Sequence, residues 1–228
     1  MPSFQVNTKW AQLSEVVPGV CISGVSALRP DELQSQGITC IINATNEVPN
    51  LPMPELDRVK LWLDDTESSN ISQHLDFVAD HIEMVIRHDG KCLVHCVAGV
   101  SRSATLVLAY LVKYHKLSLR EAYHLMCKTR HMVRPNLGFW RQLIHWEKQQ
   151  RHSTSVRLIE TSSPEDGGTQ MIPDLYFPDL FPSDELNQDK ENQIPPGANF
   201  FEESRERRGS GQKPKFIPQL ETLPEIEV

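Results

Sequence analysis

The sequence predicts an α/β fold, a small central sheet of about five strands flanked by helices, with a Cys-x5-Arg loop between a strand and a helix. Three observations carry this. Short β-rich runs alternate with runs of helical period over roughly residues 10–152. One junction reads His95-Cys96-Val97-Ala98-Gly99-Val100-Ser101-Arg102-Ser103, with apolar Cys92-Leu93-Val94 before it and the long apolar run Ala104–Leu111 after it. Past about residue 182 the chain turns rich in Pro, Asn, Gln, Ser and charge, and periodic patterns stop.

In chain order, Val16–Ser23 is apolar around Pro18-Gly19 and reads as two short strands joined by a turn. Pro30 opens and Gly37 closes a short helix over Asp31–Gln36. Ile38–Asn43 is a buried strand by its β-branched content. Three prolines make Val48–Pro54 a surface loop. Val59–Leu63 alternates as a further strand and runs into Asp64-Asp65. The cluster Ser68-Ser69-Asn70 then caps a helix carrying Ile71, Leu75, Val78, Ile82, Val85 and Ile86, which Gly90 stops. Ser118 and Glu121 form a capping box for a helix over Leu119–Thr129. After the basic connector Arg130–Pro135, Asn136 caps a last helix with Leu137, Trp140, Leu143, Ile144 and Glu147. Ser153–Ile159 adds a short strand, and Met171–Phe177 docks on the body. The expected organisation is a catalytic domain over 1–181, with its core at 10–152 and a docking arm at 153–181. An acidic, disordered tail over 182–228 follows.

Charge supports that division. Residues 1–160 carry 17 basic and 16 acidic side chains, and residues 161–228 carry 6 and 14. A near-neutral front part lacks the basic footprint of a nucleic-acid binder. The five cysteines have no zinc-type spacing, which points to a reducing compartment; Cys21, Cys40, Cys92 and Cys127 read as small core residues. The N-terminus has no signal core, Pro2 excludes myristoylation, and no apolar run reaches the roughly 20 residues of a membrane span. An intracellular, soluble protein is expected, cytoplasmic and with nuclear access open.

The chemistry sits in the Cys96–Arg102 loop. A strand–loop–helix junction aims backbone N–H groups inward and adds the positive end of a helix dipole, so its hollow attracts a phosphate-sized dianion. Cys96 is expected there as a thiolate nucleophile. Arg102 can hold two phosphate oxygens with its planar fork, and Gly99 lets the backbone turn. The backbone of Val97, Ala98, Gly99, Val100 and Ser101 lines the site. Ser103 can donate to the sulfur and ease its departure, while His95 orders the loop. The pattern points to a cysteine-dependent phosphatase needing no metal or other cofactor. A leaving alkoxide needs a proton, so a general acid is required, and it is Asp64 or Asp65. Strand alternation places Leu61, Leu63 and Asp65 on one face and Trp62 and Asp64 on the other, which alone does not choose. Arg130, His131 and Arg134 could greet an anionic substrate, or form a solvated basic loop.

These motifs resemble the dual-specificity protein phosphatases. HCVAGVSRSAT with its apolar helix is similar to their signature, VKLWLDDTESSNIS to their general-acid loop, and RPNLGFWRQLIHWE to their last helix. The small size resembles the atypical subgroup, over roughly residues 10–180. The resemblance implies that Cys96 forms a phosphocysteine, that Arg102 binds the phosphoryl group, and that Asp65 is the acid and then the base. It implies that Asn136 braces the loop. It also implies phosphotyrosine, phosphoserine and phosphothreonine of proteins as substrates, with mitogen-activated protein kinases as the family-level expectation. Rival readings are a phosphoinositide or RNA 5′-end phosphatase, disfavoured by the uncharged Val97, Ala98 and Val100, and a phosphate-binding scaffold, disfavoured because Cys96 and Arg102 are both present. In the tail, Arg207-Arg208-Gly209-Ser210 resembles a kinase site, and Glu225–Val228 could enter a PDZ groove.

Overall fold

Two faces of one sheet set the architecture. In the computed structural model, which describes residues 12–162 and 169–177, five strands lie in the order β1-β2-β5-β3-β4. They are β1 (Ser14–Val17), β2 (Val20–Ser23), β3 (Cys40–Asn43), β4 (Asp57–Lys60) and β5 (Cys92–His95). β1 and β2 pair antiparallel, and β2, β5, β3 and β4 run parallel. The Pro18-Gly19 turn works because Gly19 takes φ 83°. Period-two alternation then sorts the parallel strands. Ile22, Cys40, Ile42, Cys92 and Val94 face the main core, while Cys21, Ile41 and Leu93 face a smaller one with Leu33 and Met53.

The main core is closed by four helices, α2 (Ser72–Arg87), α3 (Arg102–Tyr114), α4 (Leu119–Thr129) and α5 (Leu137–Arg151); the short α1 (Pro30–Ser35) brings Leu33 to the other face. α3 packs against α2, α4, α5 and the sheet, and every residue from Arg102 to Val112 is buried. A helix apolar on all sides is a central one. Its N-terminus therefore starts inside the molecule, where β5 ends.

The start of α4 is as the sequence predicts, a reciprocal capping box between Ser118 and Glu121. Asn136 caps α5 by accepting from the Phe139 N–H at 2.9 Å. The start of α2 is not as predicted. Ser68-Ser69-Asn70 supplies no side-chain cap; Ile71 occupies that position, and Gln142 Oε1 of α5 accepts the Ser72 N–H at 2.9 Å. Its far end turns through Asp89 at φ 59°, and a Cβ on Gly90 would lie 2.6 Å from Thr39 Oγ1. The strand expected at Val59–Leu63 is β4, four residues ending at Lys60. Leu61 N still donates to Asn43 O at 2.8 Å, and Leu61 and Leu63 stay buried while Trp62 is exposed. The alternation outlasts the ladder, so the sequence pattern points to a strand further along than the one that forms.

After α5, β6 (Leu158–Ser162) and β7 (Thr169–Pro173) form an antiparallel pair of their own, followed by a 3₁₀ turn at Asp174–Tyr176. β6 begins later than the strand expected at Ser153–Ile159. The turn seats Leu175 in the core; Asp174 pairs with Arg120 at 2.6 Å, and Trp140 Nε1 donates to Tyr176 Oη at 2.8 Å. The acidic tail, the Arg207–Ser210 pattern and the Glu225–Val228 terminus lie outside the described residues. No helix among the described residues is long and apolar enough to cross a membrane.

Candidate active site

The site begins where β5 stops. His95 is its last residue, Cys96 follows, and Arg102 is the first residue of α3. Between them the loop is held from outside by its carbonyls. Val97 O accepts from Val25 N at 3.0 Å, Ala98 O from Arg130 Nη2 at 3.0 Å, Gly99 O from Arg130 Nε at 2.8 Å and Val100 O from Arg134 N at 2.8 Å. In a planar trans peptide the following N–H points opposite to the carbonyl. Pinning four successive carbonyls outward thus turns the N–H groups of Ala98, Gly99, Val100 and Ser101 toward the hollow. One is seen directly: Gly99 N donates to Cys96 Sγ at 3.2 Å. Gly99 itself has φ 70°, and a Cβ there would lie 2.6 Å from the Ser23 carbonyl carbon and from Arg130 Nη2.

Arg130 is therefore a structural residue. It is 3% exposed and also reaches Gln12 O at 3.0 Å, so it grips the back of the loop and does not meet substrate. This corrects the expectation from the basic connector. Arg134 is exposed and lies over the Tyr176 ring at 4.9 Å, and His131 is exposed.

Cys96 is 1% exposed and receives a second hydrogen bond, from Ser103 Oγ at 3.2 Å. Arg102 is anchored through one nitrogen. Its Nη1 donates to both Glu47 carboxylate oxygens, at 3.0 and 2.7 Å, and to Leu63 O at 2.9 Å. Its Nε is buried with no hydrogen-bond partner among the described residues and lies 3.5 Å from Asp65 Oδ2. The Nε/Nη2 edge is the one that grips an oxyanion in a two-point fork. An orphaned donor on that edge fits a phosphoryl group there. Hydrogen bonding to Arg102 holds the Glu47 carboxyl below its usual range, and Glu47 in turn helps keep Arg102 charged against the cost of burial.

Asp65 faces this assembly. Its Oδ1 accepts from Ser101 Oγ at 2.7 Å and from Asn136 Nδ2 at 2.9 Å, which leaves Oδ2 toward Arg102. Asn136 joins three parts, since its backbone N also donates to Ser101 Oγ at 3.1 Å while its Oδ1 caps α5. Asp64 points elsewhere, accepting from Asn46 Nδ2 at 2.5 Å. His95 is buried, its Nδ1 3.4 Å from Cys96 O, and burial pushes its pKa down to about 4. It is neutral at pH 7.

The fold thus gathers Cys96, Arg102, Ser103, Asp65 and Asn136. Glu47 was not foreseen, because a single acid in a proline-rich loop 55 residues before Arg102 leaves no local pattern.

The site lies within a domain that is shared with known proteins. Residues 21–149 match the family model described as the dual specificity phosphatase catalytic domain. The chain belongs to the dual specificity phosphatases. Dual specificity protein phosphatase 14 of Mus musculus is 49% identical over 144 residues, covering 63% of this chain and 70% of that protein. Dual specificity protein phosphatase 18 of Homo sapiens is 41% identical over 165 residues, covering 72% and 85%. The crystal structure of human DUSP28 superposes with a TM-score of 0.58 at 29% identity, covering 60% of this chain and 93% of that one. As a dual specificity phosphatase, the protein is a phosphoric monoester hydrolase acting on phosphotyrosine and phosphoserine or phosphothreonine of proteins.

Proposed function

We propose that this phosphatase works in two displacements through Cys96. The Cys96 thiolate attacks phosphorus in line, an S–P bond forms, and the P–O bond to the substrate side chain breaks. The inward amides of residues 98–101 and the Nε/Nη2 edge of Arg102 hold the equatorial oxygens as charge builds on them. Asp65 passes a proton from Oδ2 to the departing oxygen. Water then attacks the phosphocysteine while Asp65 takes one of its protons; the S–P bond breaks, inorganic phosphate leaves, and Ser103 donates to the returning thiolate. His95 and Asn136 support the loop and the acid without touching the reacting atoms.

The observation that carries this reading is the orphaned Arg102 Nε at the end of a loop whose first sulfur already accepts two hydrogen bonds. Steady-state kinetics on a phosphotyrosine peptide test it. Cys96→Ser should abolish turnover. Asp65→Asn should lower kcat about 10²–10⁴-fold with KM little changed, the usual range for losing a general acid. Asp64→Asn should stay within a few-fold of wild type. A larger loss from Asp64→Asn would reverse the assignment of the acid.

Mitogen-activated protein kinases, phosphorylated on both threonine and tyrosine, are the substrate class proposed from the family. The proposed setting is a reducing compartment, the cytoplasm with access to the nucleus, where a nucleophilic thiol stays reduced. Capture of Glu225–Val228 by a PDZ domain is a separate proposal.

A further inference from the structure

A second group of reactive side chains lies at the opposite end of the sheet. Cys40 opens β3, Asp57 opens β4, and His81 lies in the middle of α2. One ligand atom from each, Cys40 Sγ, Asp57 Oδ2 and His81 Nε2, lie within 4.8 Å of one another. His81 Nε2 is 3.5 Å from the sulfur and 2.9 Å from the carboxylate oxygen.

The point at which they meet is diagnostic. In a Cys–His–Asp relay the acid orients one ring nitrogen while the other faces the thiol. Here both partners address the same nitrogen, Nε2, which holds at most one proton. A hydrogen-bond relay is poorly served by that arrangement. Three donor atoms converging on one point are what a cation needs. Tetrahedral zinc, with bonds of about 2.0–2.3 Å, sets its ligand atoms roughly 3.3–3.7 Å apart, and the N–S separation already falls there. Thiolate, imidazole and carboxylate together favour zinc over the oxygen-seeking cations.

Access and rigidity fit as well. Cys40 is 1% exposed, whereas the side chains of His81 and Asp57 are 15% and 53% exposed, so one side opens to water. The Phe77 ring stands 5.9 Å from the His81 ring one turn earlier on α2. Behind Cys40, in register on β5, lies the Cys92 thiol.

We infer that Cys40, Asp57 and His81 form a zinc site that ties α2 to the first residues of β3 and β4. Three side chains and one solvent molecule complete the tetrahedron. On binding, the Cys40 thiol proton leaves to solvent and an S–Zn bond takes its place. The site lies outside the reaction. Cys92, beside Cys40, is four residues along the strand from Cys96, about 13 Å at the usual rise.

The test uses the full chain carrying Cys96→Ser, so that the nucleophile cannot bind metal, and Co²⁺ as the probe. The chain should bind one equivalent of Co²⁺ and develop a thiolate-to-cobalt charge-transfer band that Zn²⁺ removes. Adding Cys40→Ser should abolish the band. Because Cys40 is buried, the more exposed ligand gives a second variant: Asp57→Asn should weaken Co²⁺ binding about tenfold or more. Its thermal unfolding without metal should stay close to that of the parent. No band, a band that survives Cys40→Ser, or unchanged affinity in Asp57→Asn would leave only a hydrogen-bonded cluster and overturn the proposal.

Discussion

At the scale of single residues, the site depends on which groups are already satisfied and which are not. Arg102 is fixed by Glu47 and Leu63 O through Nη1, which holds its Nε/Nη2 edge in the place that the proposed mechanism gives to the phosphoryl oxygens. Asp65 is fixed through Oδ1 by two donors, which leaves Oδ2 for the proton that the proposed mechanism assigns to it. His95 carries a prediction about pH. Burial lowers its pKa to about 4 in the folded protein, against roughly 6.5 unfolded. Between those values the unfolded chain binds more protons, so stability rises with pH across the window. The His95 contribution is fully present above about pH 6.5 and is lost as pH falls toward 4, by up to roughly 3 kcal/mol. Urea unfolding at pH 7, 5.5 and 4.5 should show a steeper acid loss for wild type than for His95→Gln. Parallel losses would place the acid sensitivity elsewhere.

At the scale of elements, the loop is a short segment gripped from behind. Gly99 and Gly37 separate two costs that a sequence cannot distinguish. Both have φ 70°, but a Cβ on Gly37 meets nothing within 4 Å, whereas one on Gly99 meets Ser23 and Arg130 at 2.6 Å. Gly37→Ala should cost about 1 kcal/mol, from backbone strain alone. Gly99→Ala should cost at least about 2–3 kcal/mol and most of the activity, because the loop must shift. Equal costs in denaturant melts would show that the loop tolerates displacement. What the sequence made legible here was local. The capping box of α4 and the Asn136 cap use residues three apart, so their pattern is visible in the string. The cap of α2 comes from Gln142, 70 residues away, while nearby serines and an asparagine offered a false local answer. Arg130 is hidden from sequence reasoning for the same reason. A run of basic residues looks solvated until the carbonyls of a loop 31 residues earlier are seen to need donors.

At the scale of the whole molecule, alternation and helical period were enough for the five-stranded sheet and its helices, because each strand buries one set of residues on each face. Strand ends were less legible, since Leu61 and Leu63 remain buried beyond the ladder of β4. The arm after α5 contributes through Asp174, whose side chain is 2% exposed and pairs with Arg120. Asp174 Oδ1 also accepts from Arg157 N at 3.3 Å. Asp174→Ala leaves the Arg120 charge without its partner and should destabilise the domain by about 3 kcal/mol, with Cys96 chemistry intact in the folded fraction. Urea melts check the first part and activity per folded molecule the second. A loss below about 1 kcal/mol would mean that the arm is only loosely coupled to the core.

The most direct measurement of the central claim is phosphate release from one peptide carrying both phosphothreonine and phosphotyrosine, by the wild-type chain and by Cys96→Ser, with EDTA present throughout. The account predicts that wild type removes both phosphates and that Cys96→Ser removes neither while still binding the peptide. Release by Cys96→Ser, or dependence of the wild-type reaction on an added metal ion, would contradict it.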